Sequence, residues 1–168
     1  MQPMTRPLGY VAIIYWMIFW LMNGLDKFMH GATVTVFGQP WFTWFGKDRL
    51  EQFGKYFDRL DWDPAGIPAL LSFCGVVELF AASLFFIALL GPRSAENLLG
   101  WALATSAFIF LGFSTWDVVV GDRAELWEHG TYIGVVFMTG VFLAVTQFHP
   151  ASVFSPSHTP REKLSLTA

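Results

Sequence analysis

Charge is what this 168-residue sequence has least of. Asp, Glu, Lys and Arg make up 14% of it, against about 25% in an ordinary soluble domain, and the deficit points to lipid as the solvent for most of the chain. Thirteen acidic against ten basic residues leave a net charge of −3, which provides no basic footprint for nucleic acid. Cysteine is nearly missing, with Cys74 alone inside an apolar run. A single thiol excludes an internal disulfide, a Cys-x-x-Cys redox pair and a zinc ribbon. There is no glycine-rich phosphate loop. There is no flavin, haem or iron–sulfur motif either, so electron transfer would need a partner. No small-x-small cleavage site follows the apolar stretch that begins at Leu8, and that stretch reads as a retained helix rather than a signal peptide.

What is abundant fits the same solvent. Mean hydropathy is +0.48, and 18 Phe with 8 Trp suit a bundle with aromatic belts at both interfaces. Four apolar runs predict membrane helices over Leu8–Met29, Ile67–Leu90, Glu96–Val120 and Glu125–Phe148, each close to the ~20 residues that cross the hydrocarbon layer. Gly100 and Ala104, four apart, offer a small face for close helix packing. Pro150 ends the fourth helix, and residues 151–168 read as a disordered polar tail.

The connection between the first two helices is long. Thr33–Val36 alternates polar and apolar and predicts an extended piece. Trp41–Phe45 reads as an aromatic lead-in to a helix over 47–60. There, Leu50, Phe53, Phe57 and Leu60 recur at spacings of three and four, opposite Lys47, Asp48, Arg49, Glu51, Lys55, Asp58 and Arg59. That pattern predicts an amphipathic helix lying in the membrane interface; a soluble cap over the helix ends is the alternative. Asp61–Gly66 is turn chemistry. The expected fold is an all-α membrane protein. One domain over residues 1–150 forms a four-transmembrane-helix bundle, with the interfacial amphipathic helix between helices one and two.

Glu78 is the sharpest single residue. It lies ~16 Å along the second helix, near mid-membrane, where an unpaired carboxylate costs at least ~2.5–3.5 kcal/mol. It must face the bundle and find a partner, and Lys27, in the last turns of the first helix, can reach inward towards it. A pair that only fixes one helix against another, and a proton relay or ligand site, are both open. A second constellation gathers on the loop-rich side: Asp26 and His30 at the end of helix one, Trp116 and Asp117 at the end of helix three, and Asp122, Glu125, Trp127, Glu128 and His129 at the start of helix four. Carboxylates with histidines can ligate a metal, but no two histidines share a helical i, i+3 or i, i+4 spacing, and no metal site is assigned. The histidines lie too close to water for haem. Ordinary interfacial polarity, with Glu125 and Glu128 at a helix N-terminus, is the competing reading. The serines at 83, 106 and 114 have no histidine nearby in sequence, so no nucleophilic triad is indicated.

These residues resemble a known family. Four membrane helices, Gly24-x-x-Lys27 ending the first, a long loop, Tyr56-Phe57 through Gly66-Ile67-Pro68, and Glu78 with small residues in the second are similar to the DoxX-like family of small membrane proteins, over roughly Leu8 to Gln147. The resemblance implies a bacterial or archaeal inner-membrane protein, multi-pass, with both termini cytoplasmic and the long loop outside. A literal count of Lys and Arg per side slightly favours the reverse orientation. The resemblance also singles out Lys27 and Glu78, and carries no role for Trp116-Asp117 or Trp127-Glu128. Its methylamine-utilisation branch works with cysteines that this chain lacks. By this reading the chain is a small accessory subunit of a respiratory or sulfur-compound:quinone oxidoreductase rather than an enzyme alone. Its partners would be the bilayer and other oxidoreductase subunits. A quinone or small hydrophobic ligand would be lined by Phe and Trp residues with Lys27, Glu78 and His129, and no covalent cofactor is implied. A non-catalytic carrier of a small hydrophobic molecule, and an assembly or scaffold factor, are the alternatives.

Overall fold

The structure, a computed structural model, describes residues 5–91 and 94–146. Among the described residues, four helices are long and apolar enough to cross a membrane, the pattern of a multi-pass membrane protein. They are α1 (Thr5–Met29), α3 (Ile67–Leu89), α4 (Ala95–Val120) and α5 (Arg123–Val145), with the shorter α2 (Arg49–Leu60) between the first two. Helix α5 starts two residues before the expected Glu125, because Asp122 caps it by accepting from the backbone N–H of Ala124 and Glu125. The turn residues Pro92 and Arg93, the last expected turn of helix four to Phe148, Pro150 and the tail over 151–168 lie outside the described residues.

α1 packs on α3, α3 on α4 and α4 on α5. Trp16, Trp20, Phe85 and Phe110 fill the interior. The two indoles span the gap from α1 to the far side: Trp16 donates to Thr139 on α5 at 3.1 Å, and Trp20 donates to the buried Ser106 hydroxyl on α4 at 2.8 Å. The backbones of α1 and α3 approach closely. A Cβ on Gly24 would stand 3.1 Å from the Gly75 carbonyl oxygen, and one on Gly75 would stand 3.3 Å from the Gly24 carbonyl oxygen. Glycine at both positions is what lets these helices touch. The small face expected at Gly100 and Ala104 plays no such part. Both are exposed, and a Cβ at Gly100 would meet nothing within 4 Å.

The long connection departs from the all-α expectation. Thr33–Val36 is extended as anticipated, but Trp41–Phe45 is not a lead-in to a helix. Gln39–Thr43 forms a second strand, antiparallel to the first, with Thr33 opposite Thr43 and an irregularity after Val34. The chain reverses through Phe37 and Gly38, both at positive φ (51° and 77°), the backbone of a two-residue hairpin turn. Trp44 then donates its indole N–H to Asp26 at 2.9 Å, which fastens the base of the hairpin to the end of α1.

Helix α2 begins at Asp48, whose side chain accepts from the Glu51 N–H, and ends at Asp61 in the left-handed conformation. Its buried residues are Tyr56 and Phe57, while Leu50, expected on the inner face, is exposed. The face is rotated because polar ties decide it. Tyr56 donates to Asp122 at 2.7 Å, Arg59 donates to the Val120 carbonyl at 2.7 Å, and Lys47 pairs with Glu125. The first two strap α2, and Lys47 the residues just before it, across the turn between α4 and α5.

Candidate functional site

Beneath α2 the bundle holds a partly open cavity of about 140 Å³. Lys27 and Asn23 reach it from α1, Arg49, Gln52 and Tyr56 from α2, Glu78 and Cys74 from α3, Asp117 and Trp116 from α4, and Glu128 and His129 from α5. Phe19, Trp20, Phe110 and Phe113 supply its apolar wall.

Two acid–base pairs stand in this wall. The Lys27 ammonium donates to both carboxylate oxygens of Glu78, at 2.5 and 2.7 Å, and to the Asn23 carbonyl at 3.3 Å. The side chains are 6% and 2% exposed, so this pair is almost wholly removed from water. The contact is direct, with no bridging atom between the groups. Gly24 and Gly75 explain it, because the helices that carry the pair meet one turn away. The second pair is His129 Nδ1 with Asp117 Oδ2 at 2.6 Å, and Asp117 is 3% exposed. The His129 ring lies 5.2 Å from Phe113 and 6.2 Å from Phe110. Two further donors, Arg49 Nε and Trp116 Nε1, are buried without a protein partner. Buried donors of this kind carry a cost unless an acceptor reaches them.

Of the residues singled out in the sequence, the cavity brings together Lys27, Glu78, Trp116, Asp117, Glu125, Glu128 and His129. Glu128 is at its exposed rim and accepts from Tyr132 at 3.3 Å. Asp26 is elsewhere, spent on Trp44, in an outward depression with Phe42 and Phe45. His30 is exposed at the end of α1. Trp127 is 80% exposed and faces a shallow depression with Arg123 and Gly130. Among the described residues no group of three or more His, Cys, Asp and Glu could hold a metal ion. Sequence reading missed Arg49, Gln52 and Tyr56. Their signal was weak, because on a helix whose charged face was assigned to water, nothing marks these as turned inward.

The strap has a pH signature. The Tyr56 hydroxyl bond, then the backbone N–H groups at the start of α5, hold the Asp122 carboxylate below its ordinary value despite partial burial. Burial and the same carboxylate push the Tyr56 phenol up, so it stays a neutral donor. A group whose folded pKa is depressed stabilises the fold above its unfolded value, about 3.9 for Asp, and that contribution is lost as pH falls through the folded value. Asp122→Asn keeps a capping side chain and removes the charge. The melting temperature of the wild type should exceed that of this variant near neutral pH, and the gap should close below about pH 4. A gap that stays constant with pH would show that the charge of Asp122 contributes nothing.

Comparison with protein-family models, curated proteins and solved structures found no match to this chain.

Proposed function

We propose that this chain is a small DoxX-like membrane subunit of a respiratory or sulfur-compound:quinone oxidoreductase, and that its cavity receives the ring of a quinone. The content of the cavity carries the reading. At about 140 Å³ it matches the ~150 Å³ space that holds one benzene ring. Its walls combine aromatic faces with hydrogen-bond donors, as small-ligand sites do. The unpartnered Arg49 and Trp116 donors call for an acceptor, and quinone carbonyls are acceptors. The quinone would supply the redox step. The chain's own residues bind and move protons. Asp117 orients His129 through Nδ1, leaving Nε2 to exchange a proton with the ligand. Lys27 and Glu78 hold a charge pair at the inner wall. α2 and the aromatic walls limit the entry of water.

In this reading the protein lies in a bacterial or archaeal inner membrane with both termini cytoplasmic and α2 along the outer interface. The exposed Leu50 on α2 and the exposed Phe37, Trp41 and Phe45 in the connection before it suit contact with headgroups and acyl chains. A carrier of a small hydrophobic molecule is the second reading, favoured by a cavity built wholly within one chain. Extraction from native membranes in a mild detergent, followed by mass spectrometry of proteins and small molecules, separates the two. The subunit reading expects a quinone together with a flavin-, haem- or cluster-bearing chain. A lone chain holding another amphiphile supports the carrier, and a lone chain holding nothing contradicts both.

A further inference from the structure

A ring-sized cavity inside a membrane bundle raises the question of how a long ligand reaches it. We infer that the groove between α3 and α4 is the tail channel of the same ligand: the prenyl chain of a quinone leaves the cavity along Phe73 and Val77 on one side and Phe108 on the other, and enters the lipid between these helices. The inference rests on the quinone reading of the cavity, and adds to it a direction and a requirement for a chain.

Size makes an exit necessary. The cavity holds about 140 Å³, below the ~300 Å³ at which small-ligand sites begin, so anything larger than a ring must extend beyond it. Adjacency gives the direction. A separate groove of about 330 Å³ shares four walls with the cavity, namely Phe53, Cys74, Phe113 and Trp116. Its remaining lining is apolar, so it suits a hydrocarbon and offers a polar head almost nothing. Phe73 and Phe108, 66% and 75% exposed, form its outer lip. From Leu70 to Val77 it descends ~10 Å along α3. Towards the lipid between α1 and α5 the seam is closed by the Trp16–Thr139 hydrogen bond and by Phe19 against Tyr132 at 5.1 Å. Above, Phe53 stacks on Trp116 at 6.3 Å and 15°, so α2 roofs both spaces. A phospholipid acyl chain could fill the groove, but would leave the donors of the cavity unmet.

Gly112 makes the channel testable. It lines the groove, and a Cβ there meets nothing within 4 Å, so Gly112→Leu starts from open space, adds bulk to the channel and improves helix propensity. Gly100 on the same helix also faces open space but lies outside the groove, and Gly100→Leu is the matched control. Each protein, purified in detergent, is titrated with a short-chain prenylated benzoquinone and with the same ring bearing a methyl group in place of the chain. Displacing even a couple of buried methylenes should weaken the prenylated compound about tenfold in Gly112→Leu. The methyl compound should bind all three proteins alike, and Gly100→Leu should match the wild type with both. Equal binding of the prenylated quinone by all three proteins would overturn the channel and leave the ring site standing. So would a loss in Gly112→Leu that is the same for both compounds. If neither compound binds the wild type, the quinone reading fails and takes the channel with it.

Discussion

Lys27→Met, with Glu78 left in place, should destabilise the protein by about 3–5 kcal/mol, the cost typical of stranding one member of a buried ion pair. The two side chains are 6% and 2% exposed, so water cannot take over the lost contact. Glu78→Leu alone should cost a similar amount, because it strands Lys27. The double variant should recover most of the loss, because apolar residues of similar volume often replace a buried pair without penalty. Unfolding in detergent, read from tryptophan fluorescence, measures all three. Additive losses would mean that the groups are independently solvated and that the contact is worth little. The double variant also separates two roles of the pair. If it serves only to join α1 to α3, quinone binding per folded molecule should return with stability. The present account expects stability to return and ring binding to stay impaired, because Lys27 and Glu78 form part of the cavity wall.

Replacing a helix-interior glycine by alanine usually stabilises a helix by up to about 1 kcal/mol. At Gly24 the sign should reverse. The added Cβ would lie 2.8 Å from Leu79 Cγ and 3.1 Å from the Gly75 carbonyl oxygen. The first is a branch point rather than a free end, and the second is backbone, so the helices must separate. Overpacking of this kind costs about 1–3 kcal/mol, and separation also draws Lys27 away from Glu78 one turn below. Gly100→Ala, where a Cβ meets nothing within 4 Å, should instead be neutral or stabilising. A stabilising Gly24→Ala would show that α1 and α3 do not touch at this point.

The four long helices were legible because each carries its own signal, an apolar run of the length that a membrane requires. Their ends were less so. Asp122 caps α5 so that it starts two residues before the expected Glu125, and caps depend on backbone geometry as much as on residue type. The second strand was hidden because Gln39–Thr43 contains Pro40 and a cluster of aromatic residues, with no alternation to mark it. The inner face of α2 was misjudged at Leu50 and Tyr56 for a tertiary reason. Spacing sets the two about 120° apart around the helix, and the Asp122 carboxylate, 66 residues away in sequence, holds the tyrosine inward. The need for a partner at Glu78 followed from the cost of a carboxylate in hydrocarbon. The closeness of Lys27 did not, since it depends on Gly24 and Gly75 meeting across a long intervening loop. Asp117 and His129 could be placed at the same end of the bundle from sequence, but their 2.6 Å contact depends on the crossing of α4 and α5.

Photolabelling in native membranes with an azido-benzoquinone, followed by peptide mapping, tests most directly whether the cavity is a quinone site. The account predicts saturable labelling, competed by unlabelled quinone, on the segments that carry Trp20, Trp116 and His129. Labelling confined to the exposed outer residues Trp101 and Phe137, or labelling that competitor does not reduce, would contradict it.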